Sequence, residues 1–230
     1  MSVTEVLSPL SETDVQDVAN AVVEEAAPRT RKRPKPGERR EQILQTLAAM
    51  LESPGSERIT TAALAARLSV SEAALYRHFA SKAQMFEGLI EFIEQSVFSL
   101  VQQIVGREVE EQEITPEDGA RRAARIVALV LQFAERNPGM VRVMVGDALL
   151  LEHERLQQRI NQFFERIESS LRQCLRPAAG ALGSATPTVE AQVAASVLMS
   201  FVQGRLQRFV RTGFRRVPTE HLDASLAMML

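Results

Sequence analysis

Apolar residues between Glu38 and Glu52 fall at Ile43, Leu44, Leu47, Met50 and Leu51, the spacing of a single stripe along one helix face. The stretch SPGSE (Ser53–Glu57) ends that helix, because Pro removes a backbone donor and Gly frees the chain. Thr60 or Thr61 can cap a second, short helix through Leu68. Ser69-Val70-Ser71 is a turn. Ser71 is a good cap for a third helix reaching about His78, and Glu72 suits the positive end of its dipole. FASK then leads into a long fourth helix, about Lys82 to Val105. Its core positions are Met85, Phe86, Leu89, Ile90, Ile93, Val97 and Val101, and Phe92 sits off that stripe beside Gly88, Ser96 and Ser99.

An acidic, polar spacer follows (REVEEQEITPED), then helices over about 119–136, 141–150, 152–176 and 189–212, with a short helical tail after Pro218. Asn137-Pro138-Gly139 reads as a helix stop, and PAAGALGSATP after Arg176 as a flexible loop. No alternating run of β-branched residues supports a strand. There are no repeats and no heptads. The expected fold is all-α.

Composition agrees with this. Ala, Leu, Glu, Gln and Arg favour helix, and Trp is absent. A single cysteine, Cys174, excludes an intramolecular disulfide, which suits the cytosol. No apolar run approaches the roughly 18 residues of a membrane span, and the acidic N-terminus carries no export signal. Net charge is −2, so its distribution says more than its sum. Residues 1–28 hold Glu5, Glu12, Asp14, Asp17, Glu24 and Glu25 and no Lys or Arg. RTRKRPKPGERR follows, a block that is either a solvated linker or an arm that lies along phosphates. Residues 1–36 are therefore read as a disordered tail with a basic arm.

The short helices carry the chemistry. Three short helices, the second and third separated by a three-residue turn, make a helix-turn-helix, here over residues 37–84. Leu64, Ala65, Leu68 and Val70 can bury against Leu75 and Phe79, leaving Ser71, Glu72, Ala73, Ala74, Tyr76, Arg77 and His78 outward. Small alanines let a helix sink into a major groove about 12 Å wide, where Ala73 or Ala74 can touch a thymine methyl. Tyr76 and His78 suit phosphate hydrogen bonds at the groove edge, and Arg77 can pair with guanine or grip a phosphate. Thr60 and Thr61 bring hydroxyls and free N–H groups to a helix start, and Lys82 does likewise at the start of the fourth helix. Singly, a Tyr or His on a helix is usually just half-buried and a Lys solvated. Together, behind a basic block, they point to duplex DNA. No phosphate-binding glycine loop, metal-spaced His/Cys set or nucleophile elbow argues for an enzyme, and no cofactor or metal is expected.

ITTAALAARLSVSEAALYRHFASK resembles the DNA-binding domain of TetR-type repressors, with pattern T-x-x-x-L-A-x-x-x-G-V-S-x-x-x-L-Y-x-H-F-x-x-K. Ser69 stands where that pattern has glycine, at a helix end that needs a left-handed backbone, a departure costing ~1 kcal/mol. RREQILQTLAAMLES, FAERNPGMVRVMVGDALLLEHERLQQRINQFFERIESSLRQ and RFVRTGFRRVPTE extend the resemblance over about residues 38–220, and there it is to TetR-type proteins of nucleoid occlusion. That resemblance implies a homodimer on palindromic double-stranded DNA that antagonises polymerisation of the division protein FtsZ, in the cytoplasm and at the nucleoid. It leaves open whether several dimers share a site. It implies that residues 85–230 form a helical dimerisation and partner-binding domain, with Phe92, Leu129, Arg136 and Asn137 facing FtsZ. The alternative is a TetR-type transcriptional repressor released from DNA by a small-molecule ligand. On the last long helix, Val193, Val197, Phe201, Leu206, Phe209 and Val210, with small Ala194, Ala195, Ser200 and Gly204 between them, are shared between a dimer surface and the core.

Overall fold

The computed structural model describes residues 37–53, 59–106, 115–181 and 185–230. The acidic segment and most of the basic block lie outside them. Nine α-helices are found among the described residues: α1 (Glu38–Glu52), α2 (Thr61–Arg67), α3 (Glu72–Tyr76), α4 (Lys82–Gly106), α5 (Pro116–Arg136), α6 (Pro138–Met144), α7 (Glu154–Ala181), α8 (Pro187–Arg211) and α9 (Leu222–Met229). No strand occurs among those residues, as the periodicity requires.

Two compact units emerge. One holds residues 37–93 and Asn137–Gln157, and the other Glu94–Arg136 and Gln158–Leu230. In the first, α1 packs on α2 and α6, and α2 on α3. Ile43, Leu47 and Leu51 of α1, Leu64 of α2, Leu75 of α3 and Met85, Phe86 and Ile90 of α4 form its core, each 1% exposed or less. Asn137-Pro138-Gly139 does more than stop α5. Pro138 opens α6 at its first position, where a missing N–H costs nothing. Gly139 lies inside α6 because the helix meets α1 there: a Cβ on Gly139 would stand 2.0 Å from the Ala48 carbonyl oxygen.

In the second unit, Phe98, Phe163 and Phe164 stack edge to face at 5.4 and 5.2 Å, and the Arg166 guanidinium covers Phe98 at 3.8 Å. The α5 helix starts three residues before the expected Gly119, with the Thr115 hydroxyl accepting from Asp118 N at 3.2 Å. Thr-Pro-Glu-Asp is a cap, a proline at the first position and an acidic first turn, a signal present in the spacer. The expected loop after Arg176 is helix through Ala181, with Pro177 inside it. Proline gives up one i→i−4 bond there, while buried Leu175 and Ala179 hold the turn on the core. Along α8, Ala195, Leu198, Val202, Leu206 and Phe209 are buried, whereas Val189, Val193 and Val197 are exposed by 52–59%. That exposed row repeats every four residues, one stripe of a helix.

Candidate nucleic-acid interface

Local chemistry builds the helix-turn-helix. Thr60 caps α2, its side-chain oxygen accepting from Ala63 N at 3.1 Å. Ser71 caps α3 in the same way, accepting from Ala74 N at 3.3 Å. Each cap is worth about 1 kcal/mol. Between them Ser69 adopts φ 54°, left-handed as its place in the turn demands. Ser69 N donates to Ala66 O and Val70 N to Ala65 O, both at 3.0 Å, which is the paired 5→2 and 6→1 closure of a Schellman motif. The Thr61 hydroxyl donates to Glu72 Oε2 at 2.6 Å and ties the two helix starts together. Neither threonine side chain is idle.

The face of α3 divides as its sequence implies. Leu75 is 1% exposed, whereas its neighbour Tyr76 is 46% exposed. Ser71, Glu72, Ala73, Arg77 and His78 are exposed and Ala74 is half-buried. The helix itself is shorter than expected, ending at Tyr76 with Arg77 as its cap residue. Lys82 is held otherwise: its Nζ lies 2.5 Å from Glu152 Oε1, and its charge is already met within the chain. One contact had no signal in the sequence. Arg40, part of the basic block, lies on α1, donates to the His78 carbonyl at 3.3 Å and stacks 4.4 Å over Phe79. It braces the C-terminal end of α3 from a position 38 residues away.

Residues 43–89 match the bacterial regulatory proteins of the tetR family. Residues 117–230 match a tetracyclin repressor-like C-terminal domain of the SlmA-like kind. The nucleoid occlusion factor SlmA of Photobacterium profundum is 53% identical over 186 residues, 80% of this chain and 90% of that protein. The chain belongs to the SlmA nucleoid occlusion factors. SlmA of Vibrio cholerae serotype O1 is 51% identical over 192 residues, covering 83% of this chain and 93% of its own. Among solved structures, the TetR family transcriptional regulator PfmR from Thermus thermophilus superposes with a TM-score of 0.64 at 20% identity, over 82% of this chain and 97% of its own. At that identity the likeness shows the fold alone. This SlmA-family chain is thus a DNA-binding protein of TetR type, and no helix among its described residues is long and apolar enough to cross a membrane.

Of the residues that the SlmA resemblance assigns to FtsZ, Phe92 and Asn137 belong to the first unit and Leu129 and Arg136 to the second. Phe92 is half-buried and lines a cavity with Leu44, Leu89 and Met140. The Asn137 carbonyl accepts from Met140 N at 3.0 Å. Arg136 is exposed at the end of α5. Leu129 is 2% exposed.

Proposed function

We propose that this chain binds palindromic duplex DNA as a homodimer and, so bound, antagonises FtsZ assembly over the chromosome, in the cytoplasm at the nucleoid. The observation that carries the reading is the outer face of α3. Ala73 and Ala74 are small enough for the groove, and Tyr76, Arg77 and His78 stand free of the core. Ser71 and Thr60 lie at capped helix starts beside it. Thr61 acts by fixing Glu72 and hence α3, and Lys82 contributes less than a free cation because Glu152 offsets it. A single helix-turn-helix binds weakly, and pairing two raises affinity through effective concentration. The exposed valines of α8, with Gly204 on an open stretch of the same helix, supply the face for that pairing. Two-fold symmetry then asks for half-sites about 34–36 Å apart. Phe92, Leu129, Arg136 and Asn137 are the candidates for FtsZ contact, an Arg at a helix end being suited to a carboxylate.

Two measurements test this. Arg77→Ala should weaken binding to a palindromic duplex and lower the slope of log K against log salt by about 0.9, one phosphate contact. An unchanged slope removes Arg77 from the backbone. FtsZ should co-sediment with the protein more strongly when palindromic DNA is added. Indifference of FtsZ filaments to that DNA overturns the division reading and leaves a DNA-binding repressor.

A further inference from the structure

A cavity of about 240 Å³ opens in the first unit between α1, α4 and the start of α6. Leu44, Leu89, Phe92 and Met140 make its wall almost wholly apolar, with Arg40 and Glu41 at the edge. Gly37 also lines it, at φ 101° in front of α1. The residue that joins α1 to the preceding chain thus lies at this cavity.

What precedes it has a matching composition. Residues 10–27 (LSETDVQDVANAVVEEAA) carry Leu10, Val15, Val18, Val22 and Val23 among five carboxylates, Glu12, Asp14, Asp17, Glu24 and Glu25, and contain no Lys or Arg. They fall outside both stretches that match the family, 43–89 and 117–230. Only residues 28–36 separate them from Gly37. Nine residues reach at most about 30 Å, and a short tether of this kind gives an effective concentration of order mM. An intrinsic dissociation constant near 1 mM, too weak to matter between molecules at micromolar concentration, fills the cavity about half the time within one chain.

We propose that the cavity is a docking site for the chain's own residues 10–27, whose valines enter between Leu44, Leu89, Phe92 and Met140 and whose carboxylates meet Arg40. Apolar burial supplies the attraction. The guanidinium of Arg40 supplies a charge-assisted hydrogen bond that Glu41, at the same edge, does not cancel for a carboxylate held on the Arg40 side. Arg40 also holds the His78 carbonyl and Phe79, so an occupant that draws it away loosens the brace on α3. The site is thus placed to make tail docking and the DNA face respond to one another. Docking of the tail rests on the cavity and the sequence before it, and not on the FtsZ reading.

The test uses the full chain with ¹³C-methyl methionine and a nitroxide on Asn20→Cys. Cys174 is buried and burial pushes its thiol up to about 11, so the label goes to the new cysteine. Met140→Leu identifies the Met140 methyl signal. With the nitroxide oxidised rather than reduced, that signal should fall at least twofold, and Val15→Ser, Val18→Ser, Val22→Ser and Val23→Ser together should restore it. An unaffected Met140 signal overturns the proposal, as does broadening that survives the four serines. Mixing nitroxide-bearing unlabelled protein with untagged ¹³C protein should leave Met140 sharp; broadening there assigns the cavity to a second copy and overturns docking within the chain.

Discussion

Replacing Gly139 by alanine separates two opposed expectations. Intrinsic propensity favours Ala over Gly inside a helix by up to about 1 kcal/mol, so from sequence alone Gly139→Ala stabilises α6. The packing says otherwise. The new Cβ would sit 2.0 Å from the Ala48 carbonyl oxygen, 3.0 Å from its carbon and 3.1 Å from Glu52 Cγ. Real Cβ atoms essentially never approach closer than 3.0 Å, so α6 must retreat from α1 by about 1 Å. A gap of 0.5–1 Å forfeits roughly a quarter to a half of each dispersion well across it. Overpacking of this kind typically costs ~1–3 kcal/mol. The backbone oxygen cannot swing aside as a side chain would, which puts the cost at the upper end and leaves a net loss of about 1–2 kcal/mol after the propensity gain. The assay is urea denaturation, where a lowered midpoint at unchanged slope reports stability alone. Because α1 carries Arg40, the same displacement should weaken DNA binding. A midpoint equal to or above that of the parent protein would refute the close approach and with it the packing of the first unit.

Four further outcomes follow from the same geometry. Ser69→Gly relieves a left-handed serine, a gain of about 1–2 kcal/mol less the roughly 0.4–1 lost through a freer unfolded chain, so the midpoint should rise slightly and a fall would place the strain elsewhere. Val193→Asp puts a charge in the exposed α8 stripe and should convert dimer to monomer in sedimentation, with DNA affinity down at least tenfold; a dimer that persists moves the interface off α8. Cys174 keeps its proton in the fold up to about 11 against an ordinary 9.0, first through burial, with Arg122 opposing. Its folded value being the higher, the stability it contributes is intact below pH 9 and lost between pH 9 and about 11; a melt series should show that decline and Cys174→Ala should remove it. Glu152→Gln frees Lys82 from its partner and should steepen the salt dependence of DNA binding if Lys82 then reaches a phosphate; a flat response takes Lys82 out of the interface.

Much of this protein is written in short stretches of its chain. Helix starts at Thr60 and Ser71, the left-handed turn at Ser69, the inward Leu75 and Phe79 and the outward Tyr76 and Arg77 all follow from residues within one turn of each other. Capping and periodicity act over three or four positions, so the sequence alone determines them. The core stripe of α4 is legible for the same reason. What the chain alone left undecided depends on partners far along it. Lys82 looked like a free cation until Glu152 arrived from 70 residues away. Arg40 looked like one more charge in a basic block, and the fold sets it on Phe79 and the His78 carbonyl. Gly139 read as punctuation, yet its place is fixed by a carbonyl on another helix. Tertiary packing decided these because ion pairs, close helix crossings and cavities are properties of distance through space, which the order of residues specifies only after the whole chain has closed on itself.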